Sequence, residues 1–268
     1  MNKAAIIGYG NMGSAFTRAI LNAFPKCSVI IIEADRDRRQ QAQSIKNSAV
    51  MAPSEAAAVL KDAKPDICLL AVKPGQLENI TDIIQSCDNS LIVSIMAGIS
   101  LDKLNQHSPD CKAVRMMPNL AAEYAHSVTA FCPNQQCTKE DIVLAKTIAE
   151  GAGLAVQIEE QYFASIIGLA GSGIAYAFQF LHAMALGGVQ TGLAYNQSLE
   201  LAIETVKGAC EVIKQSGISP SEYITRVCSP GGTTIQGIAS LEHGCFTDTV
   251  MKAVTSAADH SRMMERHK

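Results

Sequence analysis

Residues Gly8-Tyr9-Gly10-Asn11-Met12-Gly13 fit the pattern G-x-G-x-x-G, and their setting constrains the fold more than any other feature of the chain. An apolar run from Ala4 to Ile7 stands immediately before them, and a helical pattern over 11–24 comes immediately after. A second β-branched run over 28–33 then follows. Strand, glycine turn, helix and strand make one βαβ unit. In such a unit the glycines let the backbone approach a pyrophosphate, and the free N–H groups of the helix N-terminus meet its charge. Alone, the glycine pattern is also met as an ordinary turn; the flanking elements are what give it weight.

The same alternation continues. Strands are expected over 3–7, 28–33, 66–72, 91–95, 113–117, 127–131 and 154–156, with helices over 11–24, 36–46, 76–86 and 138–151. Apolar runs with little internal alternation, separated by helices, indicate parallel strands covered on both faces. The expected fold class is therefore α/β. Residues 1–160 form a Rossmann-type doubly wound sheet, and an all-α region follows over 161–268. Two domains also suit 268 residues, since one core usually organises about 100–150.

In the second region a helix over 196–215 ends at Gly217. Ser219-Pro220-Ser221-Glu222 then supplies an N-cap, an N1 proline and a capping-box glutamate. Ser229-Pro230-Gly231-Gly232 breaks that helix, Thr233 opens another, and the last runs from 247 to about 266. Between Tyr162 and Val189 there is no Asp, Glu, Lys or Arg, a length that suffices to span a bilayer. Gly171-Ser172-Gly173, Gln179, His182 and Gly187-Gly188 interrupt it, and orienting basic flanks are missing. The expectation is a pair of helical stretches buried on all sides, inside a core or between subunits.

A net charge of −3, from 22 basic and 25 acidic residues without long runs, gives no footprint for nucleic acid or a membrane surface. Nine cysteines with no C-x-x-C and no zinc spacing read as reduced, mostly buried thiols, with no metal site, in a cytoplasmic protein. The first apolar run is too short for a signal-peptide core.

Dinucleotide type is left open by the second strand. That strand ends in acidic Glu33 and Asp35, about 20 residues after the glycine turn, and an acid there suits a ribose 2′-hydroxyl, but Arg36, Arg38 and Arg39 beside Asp35 suit a 2′-phosphate, so NAD and NADP are both defensible. Two further strand ends, Ala71-Val72-Lys73-Pro74 and Ala97-Gly98, are placed to face the crevice, though spacing alone equally allows plain strand-to-helix turns. Near the other end, Cys228-Ser229-Pro230-Gly231-Gly232-Thr233-Thr234 joins two helices. It offers consecutive N–H groups suited to a small anion, or it is simply a capped turn.

The order of these segments resembles the delta-1-pyrroline-5-carboxylate reductase family. The matching pieces are IIGYGNMG (6–13), LLAVKPGQ (69–76), SIMAG (94–98), VRMMPN (114–119), GLAGSGIAYAF (168–178) and SPGGTTIQGIASLE (229–242). The resemblance implies reduction of a cyclic imine to L-proline with NADPH or NADH, and a homodimer interlocked through the helical region, with larger rings in some members. It implies a cofactor site of Gly8, Gly10, Asn11, Met12, Gly13, Asp35, Arg36, Ala71, Val72, Lys73, Pro74, Ala97, Gly98 and Asn119. It also implies a substrate site of Ser229, Gly231, Gly232, Thr233 and Thr234, with Thr234 as the catalytic residue beside the ring nitrogen. The chain departs from the family pattern at Ala121 and Ile174, where Pro is frequent, and at Cys245 and Thr247, where Gly and Arg are frequent.

Imine reduction asks little acid–base chemistry of a protein, and none of the six His falls in these motifs; all are read as surface or packing residues. A β-hydroxyacid dehydrogenase of similar architecture is the rival enzyme, but it requires a Lys that the stretch 171–178 lacks. A non-catalytic NAD(P)H sensor is the rival of another class.

Overall fold

The computed structural model describes residues 1–87 and 89–266, so His267 lies outside the described residues. The chain divides into two units, Met1–Gly171 with Ala257–Lys268, and Ser172–Ser256.

The first unit begins with β1 (Lys3–Ile7), α1 (Asn11–Ala23), β2 (Ser28–Ile32), α2 (Arg36–Ala42), β3 (Ser48–Met51), α3 (Pro53–Ala63) and β4 (Ile67–Leu70). It continues with α4 (Thr81–Gln85), β5 (Leu91–Ser94), α5 (Leu101–His107), β6 (Ala113–Met117), β7 (Ser127–Pro133), α6 (Lys139–Gly151), β8 (Gly153–Gln157) and α7 (Phe163–Ile166). The strands form one sheet in the order β3-β2-β1-β4-β5-β6-β7-β8. Alternate residues of β1 show why the runs lack polar positions. Ala4 and Ile6 enter a cluster with Phe16 and Ile20 of α1, while Ala5 and Ile7 enter another with Leu60 of α3 and Ile83 of α4. Each fully buried Ile or Phe there contributes roughly 1.5–3 kcal/mol.

The expectation of parallel strands holds from β1 through β6 and fails at β7, which pairs antiparallel to β6; β8 then runs parallel to β7. The reason is the connection. Parallel pairing needs a crossover of a dozen or more residues, whereas β6 and β7 are joined through one 3-10 turn, Leu120–Tyr124. Two helices and a strand were not anticipated: β3 is half-buried at the sheet edge, and α3 and α5 are short or Ala-rich. The helix expected over 76–86 opens as two 3-10 turns, Pro74–Gln76 and Glu78–Ile80, before α4.

Arg115 of β6 is 2% exposed. Its guanidinium pairs with Glu160 at 2.9 Å, with Glu265 on the last helix, and lies 4.4 Å over the Phe163 ring. Glu160 also accepts from Leu101 N at 2.8 Å. Nothing in the sequence reading marked this cluster.

The second unit holds α8 (Gly173–Gln190), α9 (Tyr195–Ser216), α10 (Pro220–Val227), α11 (Thr233–His243) and the first part of α12 (Phe246–Arg266). Gly217 ends α9 in the left-handed region, as expected. Ser219 caps α10, accepting from Glu222 N at 3.3 Å, but the Glu222 carboxylate pairs with Arg226 at 2.7 Å instead of completing a capping box. Gly188 of α8 abuts Ser198 of α9 so closely that a Cβ would overlap the serine hydroxyl.

From Glu160 to Gln190 the chain is helical, and long and apolar enough by length and composition to cross a membrane. The expectation that this stretch is buried on all sides is not met within one chain. Phe178 and Leu186 are 55% and 46% exposed, and among the described residues of the second unit only Ala185, Ser198 and Ala202 are buried.

The cysteines are free, with Cys27, Cys68 and Cys87 buried, but Cys210 and Cys245 exposed, so the thiols are less uniformly buried than expected.

Candidate active site

A cavity of about 680 Å³ opens over the C-terminal ends of β1, β2, β4 and β5, a size common for cofactor sites. The glycine turn forms its head. Gly8 takes φ +95°, and an added Cβ would come within 2.8 Å of the Ala71 oxygen; at Gly13 it would overlap the Gly8 carbonyl. Gly13 thus lets α1 begin tight against β1, aiming its N-terminal N–H groups at the cavity, while Gly10, Asn11 and Met12 line the wall. A turn without side chains under a helix N-terminus fits a pyrophosphate.

The structure brings the β4 end, Ala71, Val72, Lys73 and Pro74, onto the same wall, together with Ala97 from the β5 end. Gly98 follows Ala97 at φ +74° and is not on that wall. Asn119 is placed elsewhere: its Oδ1 caps the Leu120–Tyr124 turn through Ala121 N at 3.1 Å, and its Nδ2 donates to Ala170 O at 3.1 Å. Asp35 and Arg36 are exposed and off the wall as well. Asp35 instead caps α2, accepting from Arg38 N at 2.9 Å, and this bond, with other backbone and arginine contacts, holds its carboxyl below the usual range.

Where Asp35 was expected, Glu33 stands. It is 7% exposed and lines the cavity, with Arg38 at the rim. Gln76 and Asn79 add amide groups from the segment after β4, and Pro53 adds a wall residue from α3. Glu33 stands at the spacing after the glycine turn, about 20 residues on, that a ribose-binding acid takes, whereas no spacing rule singles out Gln76, Asn79 or Pro53. The Tyr9 phenol is pushed up by burial, against the pull of Arg18, and stays neutral near pH 7.

In the second unit, the 229–234 loop turns at Gly231 and is closed by Gly232 N donating to Ser229 O at 3.0 Å. Gly232 is the N-cap of α11, so Thr233 and Thr234 occupy its first turn, where N–H groups have no intrahelical partner. Ser229, Thr233 and Thr234 are exposed. Three hydroxyl side chains and a run of N–H donors suit a carboxylate and one further polar group. Among the described residues, no histidine lines the cavity or falls in the 229–234 loop. His107 meets Thr81 at 2.8 Å, His182 meets Tyr195 at 2.9 Å, and His243 meets the Ala239 oxygen at 2.8 Å. Among the described residues, no group of three or more His, Cys, Asp or Glu is placed to hold a metal.

Residues 160–264 match the family model described as pyrroline-5-carboxylate reductase dimerisation, and residues 3–98 match that of NADP oxidoreductase, coenzyme F420-dependent. A pyrroline-5-carboxylate reductase of Aquifex aeolicus is 33% identical, over 98% of this chain and 97% of its own. The crystal structure of the Streptococcus pyogenes 1-pyrroline-5-carboxylate reductase superposes with a TM-score of 0.86 at 31% identity, covering 97% of this chain and 98% of that one. The Plasmodium falciparum pyrroline carboxylate reductase, solved with NADP bound, gives 0.86 at 26% identity, covering 99% and 98%. Near-complete coverage in both directions extends over the glycine turn, the sheet and the helical region alike, and the chain belongs to the pyrroline-5-carboxylate reductase family.

Proposed function

We propose that the cavity over the sheet holds NADPH or NADH and that the 229–234 loop holds the imino acid. The chain is an NAD(P)H-dependent oxidoreductase that reduces the C=N bond of 1-pyrroline-5-carboxylate to give L-proline, the last step of proline biosynthesis. One observation carries the cofactor half of the reading: the glycine turn, the β4 end and the β5 end line a single cavity.

When bound, the dihydronicotinamide supplies the hydride that the imine carbon accepts. The protein's own residues orient and shield. Gly8, Gly10 and the α1 N-terminus take the pyrophosphate, while Ala71, Val72, Pro74 and Ala97 are small or rigid enough to leave space for the nicotinamide riboside. Ser229, Gly231, Gly232 and Thr233 accept the substrate carboxylate on backbone donors and hydroxyls, and Thr234 places its hydroxyl beside the ring nitrogen. A protonated imine is already electrophilic, so no general-acid dyad is needed. In the working enzyme, hydride transfer needs the reacting atoms about 3–3.5 Å apart.

The apolar exposed surface of the helical region and the matched dimerisation model support self-association, which we read as a homodimer, with further assembly of dimers open to it. We place the protein in the cytoplasm, where its free thiols stay reduced.

Following NADPH and NADH consumption separately with pyrroline-5-carboxylate tests the reading. Thr234→Ala is expected to cut kcat/KM by about 10²-fold, the size of effect seen when one transition-state hydrogen bond is lost, with dinucleotide affinity kept. An unchanged rate would remove Thr234 from catalysis. Turnover of a β-hydroxyacid, with none of the imine, would overturn the reaction.

A further inference from the structure

The cavity over the sheet is lined by one acid, Glu33, and the environment of that acid bears on which dinucleotide the enzyme accepts. Glu33 follows β2 directly, is 7% exposed, and is held by two backbone donors. Its Oε2 accepts from Tyr9 N, inside the glycine turn, at 2.6 Å, and its Oε1 accepts from Asp35 N at 2.9 Å. A carboxylate has about four lone-pair sites. Two therefore stay open to hydroxyl donors, on a group that cannot swing aside.

The neighbouring charges are arranged differently. Asp35 is exposed and engaged as the α2 cap. The Arg39 guanidinium donates to the Glu33 and Ala34 carbonyls at 2.8 and 2.6 Å, and Arg36 is not on the wall. Arg38 is the arginine that lines the cavity, and its Nη1 lies 3.5 Å from where a Gly10 Cβ would stand. It leans over the glycine turn, which is the pyrophosphate end.

At the end of the second strand of such a sheet, an acid meets the adenosine ribose. The 2′- and 3′-hydroxyls can donate to the open lone pairs of Glu33. A 2′-phosphate brings a charge close to −2 against a fixed, desolvated −1. We propose that Glu33 makes this enzyme select NADH over NADPH, with Arg38 serving the pyrophosphate and not a 2′-phosphate. The proposal rests on the cavity being the dinucleotide site.

The test measures Kd for NADH and NADPH by nicotinamide fluorescence, and kcat/KM for each with pyrroline-5-carboxylate, on the wild-type enzyme and on Glu33→Gln. Expected is wild-type NADH binding at least tenfold tighter than NADPH binding, with the difference carried by KM and not kcat. Glu33→Gln keeps the shape and one acceptor oxygen, and should erase the gap by weakening NADH and strengthening NADPH. Because Glu33 also braces the glycine turn, the wild-type enzyme is additionally challenged with ADP-ribose and its 2′-phosphorylated form, the former expected to compete at least tenfold better. Equal or tighter wild-type binding of the 2′-phosphorylated ligands, or a folded Glu33→Gln with an unchanged ratio, overturns the proposal. If neither dinucleotide binds, the reading of the cavity fails with it; if NADPH is favoured and the imine is turned over, only the role of Glu33 falls.

Discussion

Gly8 sits at φ +95°, where an added methyl would also come within 2.9 Å of Val72 Cγ1. Both the left-handed backbone, about 1–2 kcal/mol for a residue with a Cβ, and the clash then oppose the turn. Gly8→Ala is expected to lower stability by about 2–4 kcal/mol and to remove dinucleotide binding, read from urea unfolding and nicotinamide fluorescence. Asp141 gives a pH-dependent case. Burial pushes its carboxyl up, but Thr138 N and Oγ1 at 2.8 and 2.9 Å, with Lys112 at 3.1 Å, outweigh it and hold the pKa below the ordinary value. A depressed carboxyl adds stability that is present above its unfolded pKa and lost as pH falls through the folded one. Thr138→Ala should therefore cost about 1 kcal/mol at pH 7 and less below pH ~3.9, checked by urea midpoints at the two pH values. At this scale the sequence was only half legible. Gly8, Gly10 and Ala71 are marked by type and spacing, whereas Glu33 and Asp35 both end the same strand, and only the fold shows which one faces the cavity and which one caps α2.

Strands β1, β4 and β5 were readable because they are buried on both faces and so are apolar except at Lys3, which opens β1, and Ser94, which closes β5. The edge strand β3 and the Ala-rich α3 were missed since half-burial and weak amphipathicity leave little pattern. The antiparallel turn at β7 depends on loop length, which is plain only once the strand ends are fixed. Arg115 shows the opposite difficulty: inside AVRMM it looks like the exposed residue of a strand, yet it is among the most buried side chains. Its partners lie 45 and 150 residues away, beyond any local pattern. Arg115→Met would leave Glu160 and Glu265 without their shared cation. Since both carboxylates keep some solvent contact, a loss near 3 kcal/mol, the low end for breaking a buried ion pair, is expected in urea unfolding. A change under about 0.5 kcal/mol, the range of an ordinary surface substitution, would show that the cluster contributes no more than an exposed pair does.

Across the whole molecule, apolar surface is distributed unevenly. The first unit has two buried clusters, one on each face of its sheet, while the second leaves Phe178, Leu186, Val189 and Met251 exposed. A patch of that kind needs a covering surface, and the matched dimerisation model points to a second copy of the same chain. The double variant Phe178→Asp, Leu186→Asp is expected to sediment as a single chain where the unaltered protein sediments as two or more, with a lower Tm. Sedimentation unchanged by both charges would put the interface elsewhere. The helical content of this region was legible from the loss of strand signals after residue 160, but its lack of an internal core was not, because a 28-residue stretch free of Asp, Glu, Lys and Arg reads the same whether its cover is intramolecular or not. The clasp of Glu265 on Arg115 and the burial of Ala258 and Ser261 also mean that the unit carrying the glycine turn includes a segment from beyond the helical region, starting at Ala257. A message truncated before codon 257, or a protease cut ahead of it, would thus yield an N-terminal fragment carrying the whole glycine turn yet left unfinished as a folded body.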